Sequence, residues 1–255
     1  MVIGSVVCAV LAVGLVLAAA RLLARRGERD DATDGPTAGH AGSMMSALFL
    51  LVFAIAVIVP WTAADAARQN TQAEAQALVE AYWAAGELSP EARAQVRQGV
   101  RAYTGFVIKD EWPVMRAESR LAEEGWTRLD EFRARVNTLI APDATHQAAL
   151  EEVRDQMQDV YAARRQRAAD VESTLPAGVL VFTVLTGLAM IVLPFLVGAA
   201  PRGRALLPLA LMAAMLGVGM FLVFDIDHVF AGSLGVDPTA FETAVAEFDR
   251  IPWQG

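Results

Sequence analysis

The chain has 255 residues, of which 55% are hydrophobic, and a mean hydropathy of +0.38. That is too apolar for an ordinary water-soluble domain and places it in the membrane class. Net charge is −8 without a Lys/Arg cluster, which excludes a nucleic-acid surface. The single cysteine, Cys8, excludes an intrachain disulfide, a Cys-based zinc site and a dithiol redox motif.

A bilayer core about 30 Å thick needs roughly 20 apolar residues in helix. Residues 2–20 carry no charge and are followed by Arg21, Arg25 and Arg26; residues 44–64 carry none before Asp65. Residues 175–200 are uncharged, and 205–224 follow after only Pro201-Arg202-Gly203-Arg204. The pattern predicts an all-α integral membrane protein with four transmembrane helices in two pairs, the second pair a tight hairpin. Ala18-Ala19-Ala20 would suit a signal peptidase, but the arginines follow the apolar run instead of preceding it, so it is taken as a retained span.

Arginine in short loops is retained on the cytoplasmic side. Arg21, Arg25, Arg26 and Arg29 lie between spans one and two, and Arg202 and Arg204 between three and four. A multi-pass plasma-membrane protein with both termini and the middle region outside is expected, although Arg164, Arg165 and Arg167 near span three pull the other way. Asp30, Asp31, Asp34, Pro36 and several glycines predict a flexible loop over 27–42.

Residues 67–174 show helical periodicity and predict an extramembrane helical bundle or stalk between spans two and three. Leu78, Tyr82 and Ala85 mark a helix continuing out of span two; Ser89 as N-cap with Pro90 at the first helical position starts the next. Val96, Val100, Tyr103 and Val107 form one apolar stripe, and Trp112-Pro113 is expected to end that helix. Leu129, Phe132, Val136 and Leu139 repeat at three and four, as do Leu150, Val153, Met157 and Val160 after Pro142. Residues 164–172 lead into span three. The predicted segments are 1–66, 67–174, 175–226 and 227–255, the last a turn and a short amphipathic helix with Phe241, Val245 and Phe248 near the membrane surface.

Tyr82, Trp83, Pro90, Tyr103 and Glu111-Trp112-Pro113, followed in the tail by Asp227, Phe230, Gly232, Leu234, Val236, Pro238 and Phe241, give a pattern that resembles the bestrophin-like family of bacterial domains. Val229 and His228 depart from it, a proline being usual before the phenylalanine. The resemblance implies a remote relation to bestrophins, which are pentameric anion channels with four spans and a helical extramembrane part. It also implies a cytoplasmic middle segment, opposite to the arginine placement.

Asp225, Asp227 and His228 at the end of span four offer oxygen and imidazole groups within one turn, as a cation site would, or as an interfacial cluster that stops the helix. Asp65, beside Trp61, has the same two readings: interface anchor or ion access. Glu111, Trp112 and Pro113 are a candidate structural motif, with Trp112 packed on the bundle. Small residues Gly4, Cys8 and Ala12 in span one and Ala210, Ala213, Ala214 and Gly217 in span four suit close helix packing. The three histidines are scattered and no phosphate loop, nucleophile elbow or zinc motif is present, so neither catalysis nor a cofactor or metal is expected. The expected partners are the lipid bilayer and further copies of the chain, with no nucleic acid. Two functions are carried forward: an oligomeric channel for small anions or solutes, and a non-conducting scaffold or sensor whose stalk binds a partner.

Overall fold

The computed structural model describes residues 2–26, 36–196, 206–232 and 235–251, and among them every regular element is helical. The chain divides into two compact units, Met1–Thr62 with Thr174–Asp227, and Ala63–Ser173 with His228–Gly255.

The first unit contains α1 (Val2–Arg26), the opening part of α2 (Pro36–Ala84), α7 (Ala177–Leu196) and α8 (Leu206–Ile226). Helical stretches within Ser46–Glu87, Ala144–Val192 and Leu206–Ile226 are long and apolar enough to cross a membrane; Val6–Ala18 in α1 is apolar but shorter. The most extensive packing in this unit runs α1 along α8, not within the sequential pairs. Small residues permit it: a Cβ on Gly217 would lie 2.6 Å from the Cys8 carbonyl oxygen, and one on Gly4 would strike the Phe221 ring. Val16, Ile191, Phe195 and Ala213 close one core cluster, and Ala56, Leu175 and Val223 another. Thr183 and Thr186 return their hydroxyls to the carbonyls of Val179 and Phe182, as an apolar solvent requires.

Helix α2 is continuous from Pro36 to Ala84, so residues 36–42, expected as loop, are helical; residues 27–35 lie outside the described set, as do Arg202 and Arg204. Propensity was outweighed there by the long helix that follows.

The second unit is built from the end of α2, α3 (Pro90–Phe106), α4 (Trp112–Glu118), α5 (Glu123–Thr138), α6 (Ala144–Glu172) and α9 (Thr239–Arg250). One core unites all of them: Leu78 and Tyr82 from α2 with Ala85 just after it, Val96, Val100 and Tyr103 from α3, Leu129, Phe132 and Val136 from α5, and Leu150, Val153, Met157 and Val160 from α6 are buried in it. These are the apolar stripes read from periodicity. Ser89 holds the N-cap position with Pro90 at the start of α3, but its side chain makes no capping bond, whereas the Asp143 carboxylate accepts from His146 N at 3.0 Å and caps α6.

Two expectations are corrected here. Trp112-Pro113 does not end the third helix: residues Val107–Glu111 form a π-helical turn and α4 continues through Pro113, whose missing N–H falls in the first turn, where none is needed. The actual stop is Ser119, left-handed at φ 50°. In the tail, α9 buries Phe241, Ala244 and Phe248 in the core of this unit, so its apolar face meets protein and not a headgroup layer. Gly232 at φ 79° and the bond from Val236 N to Val229 O, 2.8 Å, form the turn that brings α9 back.

Candidate functional site

The stripes that build the second unit carry charge into its centre. On α6 the spacing of three and four continues past Val160 to Arg164, Arg167 and Val171, so both guanidiniums occupy core positions, each 0% exposed. On α2, Glu74 precedes Leu78 by one turn on the buried face and is also 0% exposed. On α3, Tyr103 follows Val100, and the π turn then delivers Glu111 inward, again fully buried.

These five side chains close on one another. Arg164 grips Glu111 with two nitrogens, at 2.6 and 2.8 Å, and Arg167 grips Glu74 at 2.8 and 3.0 Å. Arg167 Nη1 also reaches Glu111 Oε2 at 3.0 Å, which links the two pairs. Tyr103 donates its hydroxyl to Glu74 Oε1 at 2.6 Å and accepts from Arg164 Nη1 at 2.9 Å. Aromatic rings cover the cations: Arg164 lies 4.6 Å from the Trp126 centroid, and Arg167 5.4 Å from that of Phe241 and 5.8 Å from that of Trp112. Trp112 in turn meets Phe230 and Phe241 edge to face.

Two carboxylates against two guanidiniums leave the cluster without net charge, the condition under which such burial is tolerated. Burial alone pushes the Glu111 carboxyl up, but the hydrogen bonds of Arg164 and the charge of Arg167 outweigh it and hold the group below its ordinary 4.5. Desolvation opposes the Arg167 cation, yet Glu74 and Glu111 hold it above its usual value; at Arg164 the hydrogen bond it donates to Glu111 does the same. Burial, with Glu74 beside it, keeps the Tyr103 phenol well above 10.0. Gly125 makes room: a Cβ there would strike Arg164 Nη2 and lie 2.5 Å from Glu111 Oε1. The arrangement is a sealed lock between α2, α3, the π turn and α6, with Asn70 Nδ2 donating to Asp170 at 2.7 Å as a further tie between α2 and α6. It holds charge in place and presents no reacting atom to solvent.

The residues singled out from sequence fall in different places. Glu111 and Trp112 belong to the lock, with Trp112 2% exposed, and Pro113 opens α4 beside them. Asp65 is exposed and accepts from Gln69 at 2.9 Å. Asp227 is buried and accepts from Leu175 N at 2.8 Å, which satisfies a backbone donor just before α7. Asp225 is half-buried at the end of α8, and His228 is exposed, its carbonyl accepting from Ala231 N. Among the described residues no three His, Cys, Asp or Glu groups converge as a metal site. Glu74, Arg164 and Arg167 escaped the sequence reading. In the sequence Arg164 and Arg167 count only as charges near span three, on the stretch leading into it; their register with Val153, Met157 and Val160 is the signal that places them inside.

The tail pattern that carried the resemblance has physical work at each described position: Asp227 on a backbone donor, Phe230 and Phe241 on Trp112, Gly232 in the left-handed turn, Val236 buried in the core with its N–H on the Val229 carbonyl, and Pro238 just before α9. Leu234 lies outside the described residues. No curated protein and no solved structure matches the chain. The family model for the Bestrophin-like domain matches residues 6–241, from α1 into α9 and so across both units, and the chain is a member of that family.

Proposed function

We propose that this Bestrophin-like protein is a four-span plasma-membrane protein whose copies assemble around a pore for small anions, with no enzymatic chemistry of its own. The observation that carries the reading is the family match over 6–241, which takes in the apolar helices and the helical middle together. In this reading α1, 25 residues long and packed along α8, is the fourth span. The arginine-rich loops face the cytoplasm, and the second unit faces outward. Asp65, Asp225 and His228 then stand where the apolar stretches end, as ion-access groups at the mouths.

Flux of several anions through liposomes holding purified, monodisperse oligomer tests the pore, and an oligomer that passes none of them ends the proposal. Orientation is read separately: with Cys8 replaced by serine, a cysteine at exposed Ala144 is expected to react with an impermeant thiol reagent on intact cells. Labelling only after lysis reverses the topology.

A second reading, a non-conducting scaffold or sensor, is favoured by two large apolar side chains left open on the second unit, Trp83 at 52% and Ile140 at 88% exposure. Under it, Trp83→Ala with Ile140→Asp abolishes association with a partner while leaving the fold unchanged. The full chain is required, because a 67–174 fragment lacks Phe241 and Phe248 from the core.

A further inference from the structure

The α5–α6 hairpin carries a second polar arrangement that the ion-pair lock does not use. A cavity of about 130 Å³ is lined by Arg133, Val136, Asn137, Arg154, Met157 and Gln158. Val136 and Met157, each 2% exposed, are its apolar floor. Arg133 and Asn137 stand one turn apart on α5, as Arg154 and Gln158 do on α6, so two pairs of side chains converge from facing helices. The lining offers two guanidiniums and two carboxamides and contains no carboxylate.

Unlike the arginines of the lock, neither Arg154 nor Arg133 makes an ion pair among the described residues. The Arg154 Nε is buried without a hydrogen-bond partner, as is that of Arg164, but Arg154 has no carboxylate paired with it to offset the cost. Arg133 lies 5.0 Å from the Tyr161 ring centroid, and the nearby Asp130 is already engaged by the Tyr161 hydroxyl at 2.5 Å. A buried donor without an acceptor is costly, and an anion seated beside it removes that cost.

We propose that this cavity binds a single tetrahedral oxyanion of the phosphate class, free or as the phosphoryl headgroup of a lipid. Guanidinium forks and amide N–H groups match a ligand with several acceptor oxygens. The volume equals about four waters at ~30 Å³ each and falls well short of the roughly 300 Å³ at which pockets for larger organic ligands begin. The site is independent of the proposed pore and holds whether or not the protein conducts.

Titration calorimetry on the full-length protein in neutral detergent tests it. Inorganic phosphate is used in one arm and short-chain phosphatidic acid in the other, with chloride holding ionic strength constant. Saturable binding is expected in at least one arm; the phosphate arm identifies the free anion, and the lipid arm alone identifies a headgroup. Arg154→Gln weakens that binding about tenfold or more, the loss of a charge-assisted hydrogen bond, and Arg133→Gln by a smaller factor. The ligand-free melting temperature stays at the wild-type value. No saturable binding in either arm, or an Arg154→Gln protein that binds as tightly as wild type, overturns the site. Should Arg154→Gln melt early, the exposed positions give the second reading: Asn137→Ala with Gln158→Ala is expected to weaken binding, and unchanged affinity overturns the proposal.

Discussion

In the first unit large apolar side chains face outward, Leu11 at 67%, Leu207 at 69% and Met215 at 69% exposure, while Val16, Phe195 and Ala213 are buried. In the second unit only Trp83 and Ile140 among the described large apolar side chains are so exposed, and Glu74, Glu111, Arg164 and Arg167 lie at 0%. Both units are made of helices with an apolar face, yet they sort side chains differently. Lipid is as apolar as leucine, so helix association there depends on close backbone approach at small residues. Water drives apolar stripes together in the second unit, and charge enters the core only as a matched, hydrogen-bonded set.

That contrast can be broken most severely at Arg167. Arg167→Met leaves Glu74 and Glu111 buried with half their partners, and a loss of about 3–5 kcal/mol is expected in denaturant unfolding followed by Trp fluorescence. Adding Glu74→Leu to it restores most of the loss, because an apolar pair needs no desolvation. If the single variant is as stable as wild type, buried charge is not what distinguishes the second unit.

Crowding tests each unit by its own rule. Gly125→Ala drives a methyl into the Arg164–Glu111 pair and should cost about 1–3 kcal/mol in the same assay. Gly217→Leu pushes α1 from α8, with a drop in melting temperature in detergent. Exposed Leu211→Ala leaves that temperature near wild type, as a lipid-facing change does. Equal effects at Gly217 and Leu211 would show that α1 and α8 do not depend on close approach.

Acid separates the units as well. Because the Glu111 carboxyl in the folded protein sits below its ordinary 4.5, it contributes stability that is full above that value and is lost as pH falls through the lowered one. The second unit should therefore melt at acid pH before the helix content of the first declines, read by circular dichroism against near-ultraviolet signals. Glu111→Gln flattens this dependence. The smallest effects belong to the caps: Asp143→Ala should cost about 1 kcal/mol, whereas Ser89→Ala, whose side chain makes no capping bond, falls within about 0.5 kcal/mol of wild type.

Much of the architecture was legible because its cause is local. Val96, Val100, Tyr103 and Val107, or Leu150 through Val160, declare a buried face by spacing alone, and uncharged runs declare lipid by length. The lock was harder to see. A charged residue on an apolar stripe reads as a break until its partner is known, and the partners here are 53 and 93 residues away in the chain. Trp112-Pro113 misled for a related reason: proline forbids a helix interior but fits a first turn, and only the π turn before it reveals which applies.

Periodicity, span length and the tail pattern by themselves determined that this is a helical membrane protein of a recognisable family, since each follows from the solvent a short segment prefers. Tertiary structure alone decided that α1 lies on α8, that α9 completes the core of the second unit, and that Arg164 and Arg167 are inside it. Those outcomes depend on whether distant groups neutralise one another and whether distant backbones fit, and no stretch of chain holds that information.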